Sequence, residues 1–108
     1  MATAAEAILH YGGHWLAPLM FARLFAGSQW FRFGLVMLAA NAIDLDHLLA
    51  DPIFDPQRCS IGFHPLHRVA AAAGYVGLAL VPRWYVRAFG IGALWHLLVD
   101  WGDCLAMG

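Results

Sequence analysis

Trp30-Phe31-Arg32-Phe33-Gly34-Leu35-Val36-Met37-Leu38-Ala39-Ala40-Asn41-Ala42-Ile43-Asp44-Leu45-Asp46-His47-Leu48-Leu49-Ala50 decides the fold. A helix needs ~20 mostly apolar residues to cross a hydrocarbon core of ~30 Å. This stretch has that length and that character. Its first half holds one charge, Arg32, while its second half holds Asn41, Asp44, Asp46 and His47. Ionisable side chains in such a helix are costly, and they mark function. Asn41, Asp44 and His47 recur every three residues and so share one helical face. Asp46 lies off that face, because two residues turn a helix by ~200°.

Three further stretches repeat the pattern. With the first they predict helices over residues 5–25, 30–50, 66–81 and 84–105, joined by tight turns except for an ordered loop over 51–65. Tight turns make antiparallel neighbours. The whole chain of 108 residues then reads as one domain, an all-α integral membrane four-helix bundle with antiparallel helices. Composition agrees: 62% of residues are hydrophobic and 12% charged, against ~45–50% and ~25% in soluble domains. A net charge of −1 with no lysine argues against nucleic acid as a partner. The bilayer is the partner this composition calls for. Met1 to Glu6 lack a basic segment, so no cleaved leader is expected. Ala70/Gly74 and Ala73/Gly77 are small-xxx-small pairs, read first as bundle packing and second as a homodimer seam.

Arg23, Arg32, Arg83 and Arg87 cluster at the first and third turns, and Arg58 and Arg68 lie at the middle loop. The positive-inside rule then places the first and third turns in the cytoplasm. The termini and the middle loop face the extracytoplasmic side.

The ionisable residues converge in depth. With ~1.5 Å rise per residue, His10 and His14 of the first helix lie level with Asp44 and His47 of the second. His64 and His67 at the head of the third, and His96 and Asp100 of the fourth, reach the same level. Asp103 belongs to the same polar group. Bundles build metal sites by aiming imidazole and carboxylate ligands from several helices at one place. The candidate ligands are His10, His14, Asp44, His47, His64, His67, His96 and Asp100. Mixed nitrogen and oxygen donors suit zinc first, and also iron or manganese. So many candidates exceed one tetrahedral ion, so one or two ions are expected. A hydrogen-bonded polar network and a bis-histidine haem site are the competing readings. The haem reading leaves the aspartates without a role.

His10-Tyr11-Gly12-Gly13-His14, Asp44-Leu45-Asp46-His47, the segment from Arg58 to His67, and Asp103-Cys104-Leu105 resemble a family of small bacterial membrane proteins of unknown function. Asp44-Leu45-Asp46-His47, the His-rich segment and His96-Leu97-Leu98-Val99-Asp100 also resemble the membrane-bound metal-dependent hydrolases. Those are described as LexA-binding inner-membrane hydrolases with a pattern similar to zinc-dependent phospholipase C. The resemblance implies His10, Asp44, His67, His96 and Asp100 as ligands, and a bacterial inner-membrane location.

Read as an enzyme, the chain is a metal-dependent hydrolase of a phosphoester or lipid substrate. Asp46 would take a proton from water, and Arg58 and Arg68 would hold the phosphate. A non-catalytic metal-binding or metal-transport protein is the alternative from a different class. Cys59 and Cys104 fall at the level of the site. A disulfide is favoured there, with free thiols or thiolate ligands as the other readings.

Overall fold

A computed structural model describes residues 4–51, 59, 61–62 and 64–106. The chain forms α1 (Ala4–Tyr11), a π turn (Gly12–Leu16) and α2 (Ala17–Phe25). A short 3-10 turn (Gly27–Gln29) leads into α3 (Trp30–Ala39), which continues as a 3-10 helix (Ala40–Leu49). A 3-10 turn (Pro65–His67) precedes α4 (Val69–Ala79), and α5 (Trp84–Ala106) ends the described chain. Among the described residues there is no strand. The predicted all-α arrangement of four helical segments is what the structure shows.

Proline and glycine explain the irregular stretches. Pro18 occupies the first turn of α2 and has no N–H to give the carbonyl four residues back. At the same place the Ala17 N–H reaches past Gly13 to the Gly12 carbonyl. The carbonyls of Gly13 and His14 are thereby left for other donors. Trp95 Nε1 donates to Gly13 O at 2.7 Å, and Asn41 Nδ2 donates to His14 O at 2.9 Å. The local break is thus tied to α5 and to the 3-10 helix.

α5 is the central element, packed between α3 and α4. Two glycines permit this. A Cβ on Gly92 would meet the Met37 backbone oxygen at 2.6 Å, and one on Gly90 would meet the Ala79 nitrogen at 2.5 Å. Gly92→Ala is expected to force α3 and α5 apart and cost ~1–3 kcal/mol, the usual cost of overpacking. Thermal unfolding measures it.

The interior is inverted relative to an ordinary domain. Small apolar clusters, Ala40/Ile43/Tyr75/Ala93/Leu97 and Ala22/Met37/Ala88, fill part of it. The rest is polar: His14, Asp46, His64, His67, His96 and Asp100 are all buried. Large apolar side chains face outward instead, with Val69 87% and Leu49 79% exposed.

The expected membrane spans are corrected in one respect: no helix among the described residues is long and apolar enough to cross a membrane. The reason is segmentation. The π turn divides the first apolar run, and 3-10 winding takes over from Ala40 in the second. The third run begins late, because Arg68 is extended (φ −92°, ψ 166°) ahead of Val69. α5 runs unbroken for 23 residues, but its second half carries His96, Asp100 and Asp103.

At the arginine end, guanidinium groups rest on tryptophan rings. The guanidinium of Arg32 lies 4.7 Å from the Trp84 ring centre, and that of Arg23 lies 5.8 Å from Trp30.

Candidate metal centre

The 3-10 helix sets the first donor, Asp44. Its three residues per turn eclipse side chains at i and i+3, so Asn41, Asp44 and His47 stand in one row. Runs this long are uncommon and mark functional or strained segments. α5 supplies His96 and Asp100 one turn apart. The Pro65–His67 turn, held by Tyr75 Oη donating to Leu66 O at 2.8 Å, supplies His67.

Four donor atoms form a closed ring. Asp44 Oδ1 lies 3.2 Å from His67 Nε2 and 3.0 Å from His96 Nε2. Asp100 Oδ2 lies 3.1 Å from His67 Nε2 and 3.2 Å from His96 Nε2. A tetrahedron with arms of ~2.0 Å has edges of about 3.3 Å. Adjacent corners of an octahedron with arms of ~2.1 Å are about 3.0 Å apart. Both match the ring.

Proton positions point the same way. Asn41 gives its amide hydrogen to the His14 carbonyl, so its oxygen faces His96 Nδ1 at 2.7 Å and must accept from it. His67 Nδ1 lies 2.9 Å from Asp46 Oδ2 and donates to that carboxylate. With one proton each, both imidazoles turn an Nε2 lone pair towards carboxylate oxygens. His67 Nε2 and Asp100 Oδ2 are buried without a hydrogen bond. Lone pairs at these distances repel unless a metal ion, or a second proton on the imidazole, lies between them. Two carboxylates and two neutral imidazoles carry two negative charges, which a divalent ion balances. His67, in the turn ahead of α4, reports the same field. Burial opposes its charging, but Asp100, Asp44 and Asp46 outweigh that and hold its pKa at about 10. Without an ion this imidazole therefore carries a second proton, and a metal ion would take that proton's place between the carboxylates.

Supporting groups stand behind three of the four donors, as metal sites require. Asp46 Oδ2 also accepts from Leu66 N at 2.8 Å. His14 Nε2 lies 2.9 Å from Asp100 Oδ1. Asn41→Ala removes the acceptor that orients His96. It is expected to weaken metal affinity by ~10–100-fold while the fold persists. Titration with a fluorescent zinc competitor measures this.

The remaining candidates sit around the ring. His10 Nδ1 pairs with Asp103 Oδ2. His47 Nδ1 faces Asp44 O at 3.0 Å and Asp46 Oδ1 at 3.2 Å, and its ring stacks on His64 at 3.8 Å. Asp46, His47 and His64 form a separate cluster. Asp46, expected beside reacting water, lies behind His67 instead. Arg68 is exposed at the head of α4, and Arg58 falls outside the described residues. Two contributions were missed in the sequence: Asn41 as the orienting group of His96, and Asp103 as the partner of His10. The spacing His96, Asp100, Asp103 places Asp103 on the same helical face and was the available signal. Cys59 and Cys104 form a disulfide with Cα atoms 5.0 Å apart, which resolves the three readings of the cysteines.

Together these features define an all-α helical protein with a buried imidazole–carboxylate cluster able to hold a metal ion. The chain belongs to the family of unknown function DUF6122, whose model matches residues 4–107. No curated protein and no solved structure matches it. None of these comparisons connects the chain with a hydrolase.

Proposed function

We propose that this chain is a bilayer-seated metal-binding protein that uses a divalent ion, zinc first and iron or manganese otherwise, to hydrolyse a phosphoester or lipid. The ring of Asp44, His67, His96 and Asp100 carries the metal reading, because its edges of 3.0–3.2 Å are those of a coordination shell. Imidazole with carboxylate suits these ions. When bound, such an ion polarises a phosphoryl oxygen and makes its water acidic. The chain's own groups hold the donors: Asp46 holds His67, Asn41 holds His96 and His14 holds Asp100. The Asp44 side chain is 47% exposed, so the ring is approachable from that side. Arg68, at the head of the neighbouring helix, is the described residue proposed for a phosphate.

The apolar cluster of Ala22, Met37 and Ala88 fills the interior towards the arginine end. That favours a site with one mouth over a transport path. Bilayer seating rests on the large apolar side chains that face outward and on stacked helical segments. α3 and the 3-10 helix together run about 35 Å at ~1.5 and ~2.0 Å per residue. The disulfide favours an oxidising, extracytoplasmic compartment for the site.

The test begins with protein purified in detergent without a metal-affinity column. Mass spectrometry should find near-stoichiometric metal that is lost in His96→Ala. No metal in the wild type would remove the reading. Metal-loaded protein should then cleave phospholipid vesicles or p-nitrophenyl phosphate. Failure on both would leave metal binding without the hydrolysis.

A further inference from the structure

We infer that Asp100 is a bridging carboxylate and that His10 and His14, with Asp103 set behind His10, hold a second divalent ion beside the first. This rests on the metal reading of the ring. The two oxygens of Asp100 face different groups. Oδ2 faces His67 and His96, while Oδ1 faces His14 Nε2 at 2.9 Å. A carboxylate that turns one oxygen to each of two donor sets is placed to join two ions.

His14 supplies the independent observation. Its residue is 3% exposed, and its Nδ1 is buried with no hydrogen-bond partner. Asp100 is thus the hydrogen-bond partner of this ring, and hydrogen bonding alone does not account for the burial of His14. Donor atoms of His10, His14 and Asp100 lie within 4.8 Å of one another, and the His10 and His14 rings meet edge to face at 4.5 Å. Asp103 adds a carboxylate on His10.

Charge argues likewise. Asp44, Asp100 and Asp103 together exceed what one divalent ion neutralises, and the imidazoles bring no compensating charge when they act as ligands. The His14 and His96 rings lie 4.1 Å apart. Their Nε2 atoms face different oxygens of Asp100; a second ion would take the place of the His14–Asp100 hydrogen bond, and the two ions would be close neighbours. Two-ion hydrolytic sites place their metals ~3.5–4 Å apart and clamp both the attacking and leaving oxygens of a phosphoester. The substrate class that fits is therefore a phosphate ester cleaved by in-line displacement.

Manganese(II) is the probe, because neighbouring ions couple magnetically. Wild-type protein loaded with manganese should bind two ions per chain and give an exchange-coupled electron paramagnetic resonance spectrum. His10→Ala and Asp103→Asn should each hold one ion and give the uncoupled six-line spectrum. One uncoupled ion in the wild type, unchanged in His10→Ala but lost in His96→Ala, would overturn the bridge and leave the ring standing. No manganese in the wild type would overturn both. The wild-type spectrum decides the matter even if a variant fails to fold.

Discussion

Asp100→Asn is expected to empty the centre. The amide has the size of the carboxylate but carries no charge, and it turns an N–H towards at least one of its three imidazole neighbours. Losing a supporting hydrogen bond weakens metal sites ~10–100-fold. Losing this carboxylate should exceed about 100-fold, the top of that range. Direct metal analysis after dialysis gives the first readout. The second is stability. A ligand present at 1,000 times its dissociation constant stabilises the folded form by ~4 kcal/mol. Wild-type protein should therefore melt higher when zinc or manganese is added, and Asp100→Asn should not shift. Without metal, Asp100 lies against His14, His67 and His96. An unchanged metal response in Asp100→Asn would show that the ring is a hydrogen-bonded network.

Opening the disulfide should have the largest effect on the fold itself. The two cysteines are 45 residues apart in sequence. Constraining a loop of that length lowers the entropy of the unfolded chain by an amount worth ~4 kcal/mol. Cys59→Ala, or reduction of the wild type, should cost about that much in thermal unfolding. The local consequence is more specific. Cys104 follows Asp103 directly, so the bridge pins the end of α5 where Asp103 meets His10. Reduced protein should lose the His10–Asp103 contact before it loses the ring around Asp44. Near-identical melting with and without reductant would remove the stabilising role.

Much of the site was legible because its residues obey helical spacing. His96 and Asp100 at i,i+4, and Asn41 and Asp44 at i,i+3, were read correctly as sharing faces. The equal depth of the polar residues in four segments indicated that they would meet. Winding was not legible. Nothing in Ala40 to Leu49 distinguishes 3-10 from α, and the change alters which neighbours each side chain meets. Asp46 was read as free of the ligand face and available to water. It instead reaches His67 in the turn that follows the middle loop, a contact set by tertiary packing. The π turn was hidden for a related reason. Pro18 signals a local break, but only packing against Trp95 and Asn41 shows where the released carbonyls go. The first two predicted spans are interrupted for the same cause, since apolar composition does not reveal where a helix changes its pitch, whereas the fourth runs unbroken as α5.

That π turn also acts as a phase setting between two parts of one rod. An α-helix advances about 100° per residue, and a π turn holds one residue more than an α turn. Deleting a single residue from Gly12–Leu16 would let the turn close as α-helix. α1 would then rotate by about 100° about its axis. His14, anchored through its own carbonyl to Asn41, would keep its place against Asp100. His10 would swing away from Asp103. One backbone irregularity therefore sets the rotational register of α1, and a shift of one residue could disconnect its histidine while the ring between α5 and the 3-10 helix stays assembled.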